Sequence, residues 1–137
     1  MTSEVYDALL EAGRAALPLE ACGLLAGKGE AITKFYPLTN ADQSATHFTM
    51  LPEEQFAAIK DMRGLGIVTL GIWHSHPHTP ARMSAEDIRL ALTPNVSYPI
   101  LSLQDPANPV LKAFKVIDEI AVEIPLTIEP AMASHSR

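Results

Sequence analysis

Ile67-Val68-Thr69-Leu70-Gly71-Ile72-Trp73 is nearly all apolar and runs without a break into His74-Ser75-His76-Pro77. A short apolar run of this kind suits a central strand covered on both faces better than an alternating surface strand. Two histidines stand at its exit. Residues two apart on a strand share a face, so His74 and His76 aim both imidazoles at one point while Ser75 turns away. A fold built around this strand needs a layer above and a layer below, and 137 residues are enough for one compact domain with a hydrophobic core.

Helices and strands are both legible around that strand. Val5, Leu9, Leu10, Ala12, Ala16 and Leu17 form a helical stripe over residues 3–17, with Glu4, Asp7, Glu11 and Arg14 on other faces, and Pro18 ends it. Residues 21–27 and 31–36 read as two strands around the turn at Gly27-Lys28-Gly29, the second stopped by Pro37. A polar loop covers 39–45, followed by a short strand at 47–50. Pro52-Glu53-Glu54 opens a helix to about Leu65, because proline suits the first turn and carboxylates favour the positive end of the helix dipole. Residues 84–92 read as a helix, and 98–103, 111–116 and 120–124 as strands. The expected organisation is a single mixed α/β domain over 1–129 with a frayed tail at 130–137, in which His135 has no role.

Composition narrows the function classes. Ten Lys plus Arg face 16 Asp plus Glu, a net charge of −6, so the attraction to phosphate that nucleic-acid binders use is missing and no nucleic-acid partner is expected. Apolar residues at 47% and charged residues at 19% exclude general disorder. The single cysteine, Cys22, can form no internal disulfide and cannot supply the two thiolates of most structural zinc sites, which points to the cytoplasm. Met1-Thr2-Ser3-Glu4 lacks the basic start of a signal peptide and no segment approaches a membrane span, so a soluble, unprocessed protein without a membrane partner is expected.

The chemistry concentrates after the central strand. The 77–83 loop is long enough to turn back, and a helix opening at Ser84 puts Asp87 in its first turn, where its carboxylate can join His74 and His76. Two imidazoles, one carboxylate and a water describe an open catalytic zinc site, since a closed structural site has a fourth protein ligand. Hydrolysis of a stable amide also needs a base, and Glu20, placed where the first helix has ended and an apolar strand begins, is the best candidate. Plainer roles compete. Ser84-Ala85-Glu86-Asp87 fits a helix capping box. His47 and His78 fit hydrogen-bonded structural histidines, His78 at a cleft rim, Cys22 a small buried apolar residue, and Trp73 core or cleft wall. Capping explains Ser84 and Asp87 but gives no reason for two same-face histidines just before them.

The joint pattern of Glu20, then His74-x-His76-Pro77, a gap of six, then Ser84-x-x-Asp87, resembles the signature of the JAMM (MPN-plus) zinc metalloprotease family. Glu20-Ala21-Cys22-Gly23-Leu24-Leu25-Ala26-Gly27 is similar to that family's first strand and Tyr98-Pro99-Ile100-Leu101-Ser102-Leu103 to the strand after its motif helix. Met83 departs from the proline that many bacterial members carry there. The resemblance implies a curved mixed β-sheet sandwiched between helices, zinc held by His74, His76 and Asp87, Glu20 as general acid/base and Ser84 stabilising the oxyanion. The chain has little length for the insertions with which deubiquitinating members grip ubiquitin. It is more similar to stand-alone prokaryotic members, which cut after the terminal Gly-Gly of ubiquitin-like sulfur-carrier proteins.

Three other classes fit less well. A non-catalytic scaffold of the same fold has no need of the intact ligand set. A zinc nucleoside deaminase normally needs a Cys-x-x-Cys pair, and there is one cysteine. The His-Glu-x-x-His string of helical metalloproteases is absent.

Overall fold

The computed structural model describes residues 1–130. In chain order the elements are α1 (Ser3–Ala16), β1 (Cys22–Lys28), β2 (Ala31–Leu38), α2 (Pro52–Leu65), β3 (Val68–His76), α3 (Ala85–Leu90), β4 (Tyr98–Ser102), β5 (Val110–Ile117) and β6 (Ile120–Ile124). The strands make one six-stranded sheet in the order β2-β1-β3-β4-β5-β6. Every neighbouring pair is antiparallel except β3 and β4, which are parallel. The mixed α/β expectation is therefore met, with helices on both faces of a mixed sheet. None of the described helices is long and apolar enough to cross a membrane. The expected tail at 130–137, His135 included, lies outside the described residues except for Pro130.

Side-chain alternation divides the core. On one face Val5 and Leu9 of α1 pack with Leu25, Trp73, Leu101 and Leu103. Gly13 lets α1 settle there, since a Cβ at that position would stand 2.9 Å from Leu101 Cδ2. On the other face Ala58 and Met62 of α2 cover Leu24 and Ala26, and Met83, Val96, Tyr98, Ile100 and Phe114 form a second cluster that Ile88 of α3 joins. Ile72 belongs to both clusters of this second face. β3 sits between β1 and β4 with both faces covered, as its apolar run requires.

Element boundaries differ from expectation for identifiable reasons. β2 continues through Pro37 to Leu38 because it is an edge strand, where a missing N–H costs no ladder bond on the open side. No strand forms over 47–50: Thr49 N–H donates to the side chain of Asn40, and Met50 makes only an isolated bridge to Asn40. α3 stops at Leu90 rather than Leu92, consistent with Pro94 disfavouring helical backbone at Thr93, and Thr93 is instead tied by its N–H and C=O to the Tyr98 hydroxyl at 3.1 Å each. α2 matches its expected bounds and ends on Gly66, which takes the left-handed conformation (φ 70°) that favours glycine.

Candidate metal centre

β3 delivers both histidines to the α2/α3 face, and Ser75 to the α1 face. All three are buried, with relative exposures of 2% for His74, 0% for Ser75 and 5% for His76. His74 Nε2 and His76 Nε2 lie 3.0 Å apart. Asp87 Oδ2 stands 3.2 Å from the first and 3.1 Å from the second. His76 Nδ1 is 2.9 Å from the Pro80 carbonyl, which can only accept, so Nδ1 carries the hydrogen and, in the neutral ring, the Nε2 lone pair faces Asp87 and His74.

A near-equilateral triangle of two imidazole nitrogens and a carboxylate oxygen fits a small divalent cation. Tetrahedral bonds of about 2.0–2.1 Å to nitrogen and oxygen place ligand atoms roughly 3.3–3.4 Å apart, close to the separations here. The donor set also suits such an ion and leaves a coordination position for another ligand. Among the described residues this is the group of three or more His, Cys, Asp or Glu placed to hold a metal.

Asp87 is held for that position by its own helix. Ser84 caps α3: its Oγ accepts from Asp87 N–H at 3.0 Å, and Asp87 Oδ2 accepts from Ser84 N–H at 3.0 Å. The capping box and a catalytic role for Ser84 are compatible, because the cap uses an acceptor lone pair of the hydroxyl and leaves its O–H to donate. Burial works against the charge of Asp87, but the hydrogen bonds that His74 and His76 give it when their Nε2 atoms carry a proton hold its carboxyl well below the usual range. Burial pushes the His74 pKa down. Burial also opposes the charge on His76, but its bonds to Asp87 and the Pro80 carbonyl outweigh that and raise its pKa, so protonation there competes with a metal.

Glu20 lies in the link between α1 and β1, 3% exposed. Its Oε1 is buried without a hydrogen-bond partner. Burial, with added repulsion from Asp87 and Glu86 against an opposing attraction from His76, raises its pKa to about 8. A carboxyl that titrates near neutrality beside a candidate cation site is suited to accept and return a proton. Next to it, Ala21 N–H donates to Ser75 Oγ at 2.8 Å, so the buried serine on the far face of β3 anchors the segment that carries Glu20.

The cluster opens into a cleft of about 260 Å³ whose walls include Phe48, Met50, Ile72, Met83, Leu90 and Tyr98. Phe48 stacks on the His74 ring with centroids 4.8 Å apart and planes at 29°. Trp73 is the core residue of the two alternatives, fully buried on the opposite face, edge-on to Phe35 at 5.3 Å. His47 is hydrogen-bonded to Asp42 at 2.9 Å, as a structural histidine should be, and also lines the cleft. His78 is exposed and is not among the residues lining this cleft. Cys22 is buried with its thiol turned to the Leu38 and Thr39 carbonyls, and burial pushes its pKa up to about 12, away from any reactive thiolate. Phe48 carries no periodic signal of its role, because it reaches His74 through a loop held by side-chain-to-backbone bonds.

Known proteins share both the sequence and the fold. The chain is 30% identical over 128 residues to the CysO-cysteine peptidase of Mycobacterium tuberculosis, covering 92% of this chain and 88% of that protein. It is 33% identical over 88 residues to the desampylase of Haloferax volcanii, covering 62% of this chain and 63% of that protein. The solution structure of protein DSY2949 from Desulfitobacterium hafniense superposes with a TM-score of 0.88 at 46% identity, over 98% of this chain and 94% of that one. Residues 2–116 match the family described as prokaryotic homologs of the JAB domain, and the chain accordingly belongs to this stand-alone prokaryotic branch of the JAMM/MPN proteins.

Proposed function

We propose that the protein is a zinc-dependent peptidase or isopeptidase that cuts after the C-terminal Gly-Gly of a ubiquitin-like or sulfur-carrier protein, with residues 1–129 as its metalloprotease domain. The observation that carries this reading is the triangle of His74 Nε2, His76 Nε2 and Asp87 Oδ2, about 3 Å on each side, with the buried carboxyl of Glu20 close enough to feel His76 and Asp87. The relatives named as a CysO-cysteine peptidase and a desampylase support the same substrate class. A non-catalytic scaffold is disfavoured because burying two imidazoles and two carboxyls without chemistry to perform carries a desolvation cost.

His74, His76 and Asp87 are the proposed ligands. A zinc ion held by His74, His76 and Asp87 would supply Lewis acidity toward a water and a substrate carbonyl. Glu20, whose carboxyl is buried with Oε1 free of any hydrogen-bond partner, would take the water's proton in its ionised form, which a cation held by the neighbouring ligands favours, and return it to the leaving nitrogen. Ser84, its hydroxyl oxygen fixed by Asp87 N–H, donates its O–H to the developing oxyanion. Phe48 and Met83 line the cleft beside these groups, and a substrate backbone passing close between them would favour glycine before the cut because it has no Cβ. Trp73, buried on the other face, takes no part there. The test is a panel of Gly-Gly-tailed carriers with C-terminal extensions, incubated with zinc-loaded protein and read by intact mass. Cleavage after Gly-Gly, with kcat/KM sharply lower for Ala-Ala tails, is expected; equal cleavage of both tails would leave a general metallopeptidase instead.

A further inference from the structure

Glu20 precedes the first residue of β1 by two positions; the next residue, Ala21, is tied to β3 by its N–H to Ser75 Oγ at 2.8 Å and its carbonyl to Ser75 N–H at 3.0 Å, but the backbone groups of Glu20 itself pair with no strand. Its polar backbone groups go to one loop. Glu20 N–H donates to the Ser44 carbonyl at 2.8 Å, and the Glu20 carbonyl accepts from Asn40 Nδ2 at 3.1 Å. The Asn40 side chain is used at both ends. Nδ2 also donates to the His47 carbonyl at 3.0 Å, while Oδ1 accepts from Asp42 N–H at 3.1 Å and Thr49 N–H at 3.3 Å. With a longer contact from Nδ2 to the Ser44 carbonyl at 3.5 Å, three carbonyls on one side and two N–H groups on the other fix which way the amide faces. The partners at His47 and Thr49 flank Phe48, the ring stacked on His74.

From this network we infer that Asn40 is a positioning residue: its amide fixes the backbone of Glu20 relative to the histidine cluster, and so sets the reach of the carboxyl toward the scissile bond. The inference rests on the reading of Glu20 as the base. Asn40 bonds directly to the backbone of the base, whereas it reaches the proposed ligands only through Phe48 against the His74 ring, so bound zinc is measured beside turnover in each variant. Aspartate is nearly isosteric but would turn an oxygen toward these carbonyls, whereas serine can still accept from Asp42 N–H but is too short to span to Glu20.

The test compares wild type, N40D, N40S, E20Q and the double variant N40D/E20Q as zinc-loaded proteins. N40D and N40S should each lose roughly 10- to 100-fold in kcat, the scale on which hydrogen-bond partners that orient metal-ligating side chains act, applied here to the base. Bound zinc should stay at the wild-type level, and exchange of the Glu20 amide hydrogen, followed by NMR, should quicken. N40D should cost nothing further in the E20Q background, because both changes act on one group. A lowered Tm with wild-type kcat at 25 °C would make Asn40 a loop support only, and an equal further loss in the E20Q background would place its action elsewhere; either outcome overturns the inference. Full turnover by E20Q alone would instead overturn the reading of Glu20 on which it rests. If neither Asn40 variant folds, wild type still decides, since unprotected exchange at the Glu20 amide would contradict the clamp.

Discussion

The two faces of β3 differ in kind, although their residues alternate along one strand. Trp73 and Ser75 point into a packed layer under α1, where Trp73 meets Leu9, Leu25 and Leu101 and the Ser75 hydroxyl is taken by Ala21 N–H. His74 and His76 point the other way, toward Asp87 and a cleft. Among the described residues, the buried side-chain nitrogen or oxygen left unpaired on the packed face is Trp73 Nε1. Its cost of ~1–3 kcal/mol is outweighed by burial of the ring, given that truncating a buried tryptophan typically costs ~3–5 kcal/mol. On the other face the unpaired atoms are Glu20 Oε1 and His74 Nδ1, both in or beside a cluster of titratable groups. The packed face supplies stability and rigidity, and the opposite face uses that rigidity to keep costly polar groups converged.

The sharpest way to break this comparison is to empty the polar face. His74→Ala or Asp87→Ala should abolish stoichiometric zinc and reduce turnover to background, checked by metal analysis beside the carrier assay. Full zinc and full activity in either variant would remove that residue from the ligand set.

Glu20→Gln comes next, with zinc retained and turnover down about 10²- to 10⁴-fold through lost proton transfer. The same variant bears on stability in the chelated protein. The folded-state pKa of Glu20, about 8, lies above its ordinary 4.5, so the fold favours the protonated form. That contribution is fully present below pH 4.5 and is lost as pH rises to about 8. Urea unfolding across this window should show wild type losing stability relative to Glu20→Gln, and parallel curves would contradict the burial of a titrating carboxyl.

Ser84→Ala separates two functions of one hydroxyl. Loss of the cap costs about 1 kcal/mol of stability, and loss of an oxyanion donor costs about 10²- to 10³-fold in kcat. Both losses are expected together. A lower Tm with unchanged kcat would leave the cap alone.

The smallest effect on turnover is expected from the packed face. Leu101→Ala, at a fully buried position, should lower stability by ~2–5 kcal/mol while kcat and zinc content stay at wild-type levels below the new Tm. A loss of zinc in this variant would show that the two faces are not separable in the way the comparison claims.

Much of this site was legible before the fold, for a physical reason. His74 and His76 are two apart on a strand, and Ser84 and Asp87 are linked by the spacing of a helix cap, so local periodicity alone brings each pair onto one side. Nothing local joins the pairs to each other or to Glu20, and there the likeness to JAMM proteins supplied the connection. Phe48 and Asn40 were invisible because their roles arise where a loop without periodicity folds back on Glu20 and His74 through single hydrogen bonds and one ring contact. Pro37 reads as a stop in the sequence but lies within β2, because a sequence does not say which strand lies at an edge. Trp73 could stand as core or cleft wall until the strand's register fixed its face.

Zinc-edge X-ray absorption on the zinc-loaded wild-type protein tests the central claim most directly. The expected spectrum has one zinc per chain with two imidazoles and oxygen ligands at about 2.0–2.2 Å and no sulfur. A sulfur shell near about 2.3 Å, which only Cys22 or a methionine can supply, or the same spectrum from His74→Ala protein, would contradict a centre built from His74, His76 and Asp87.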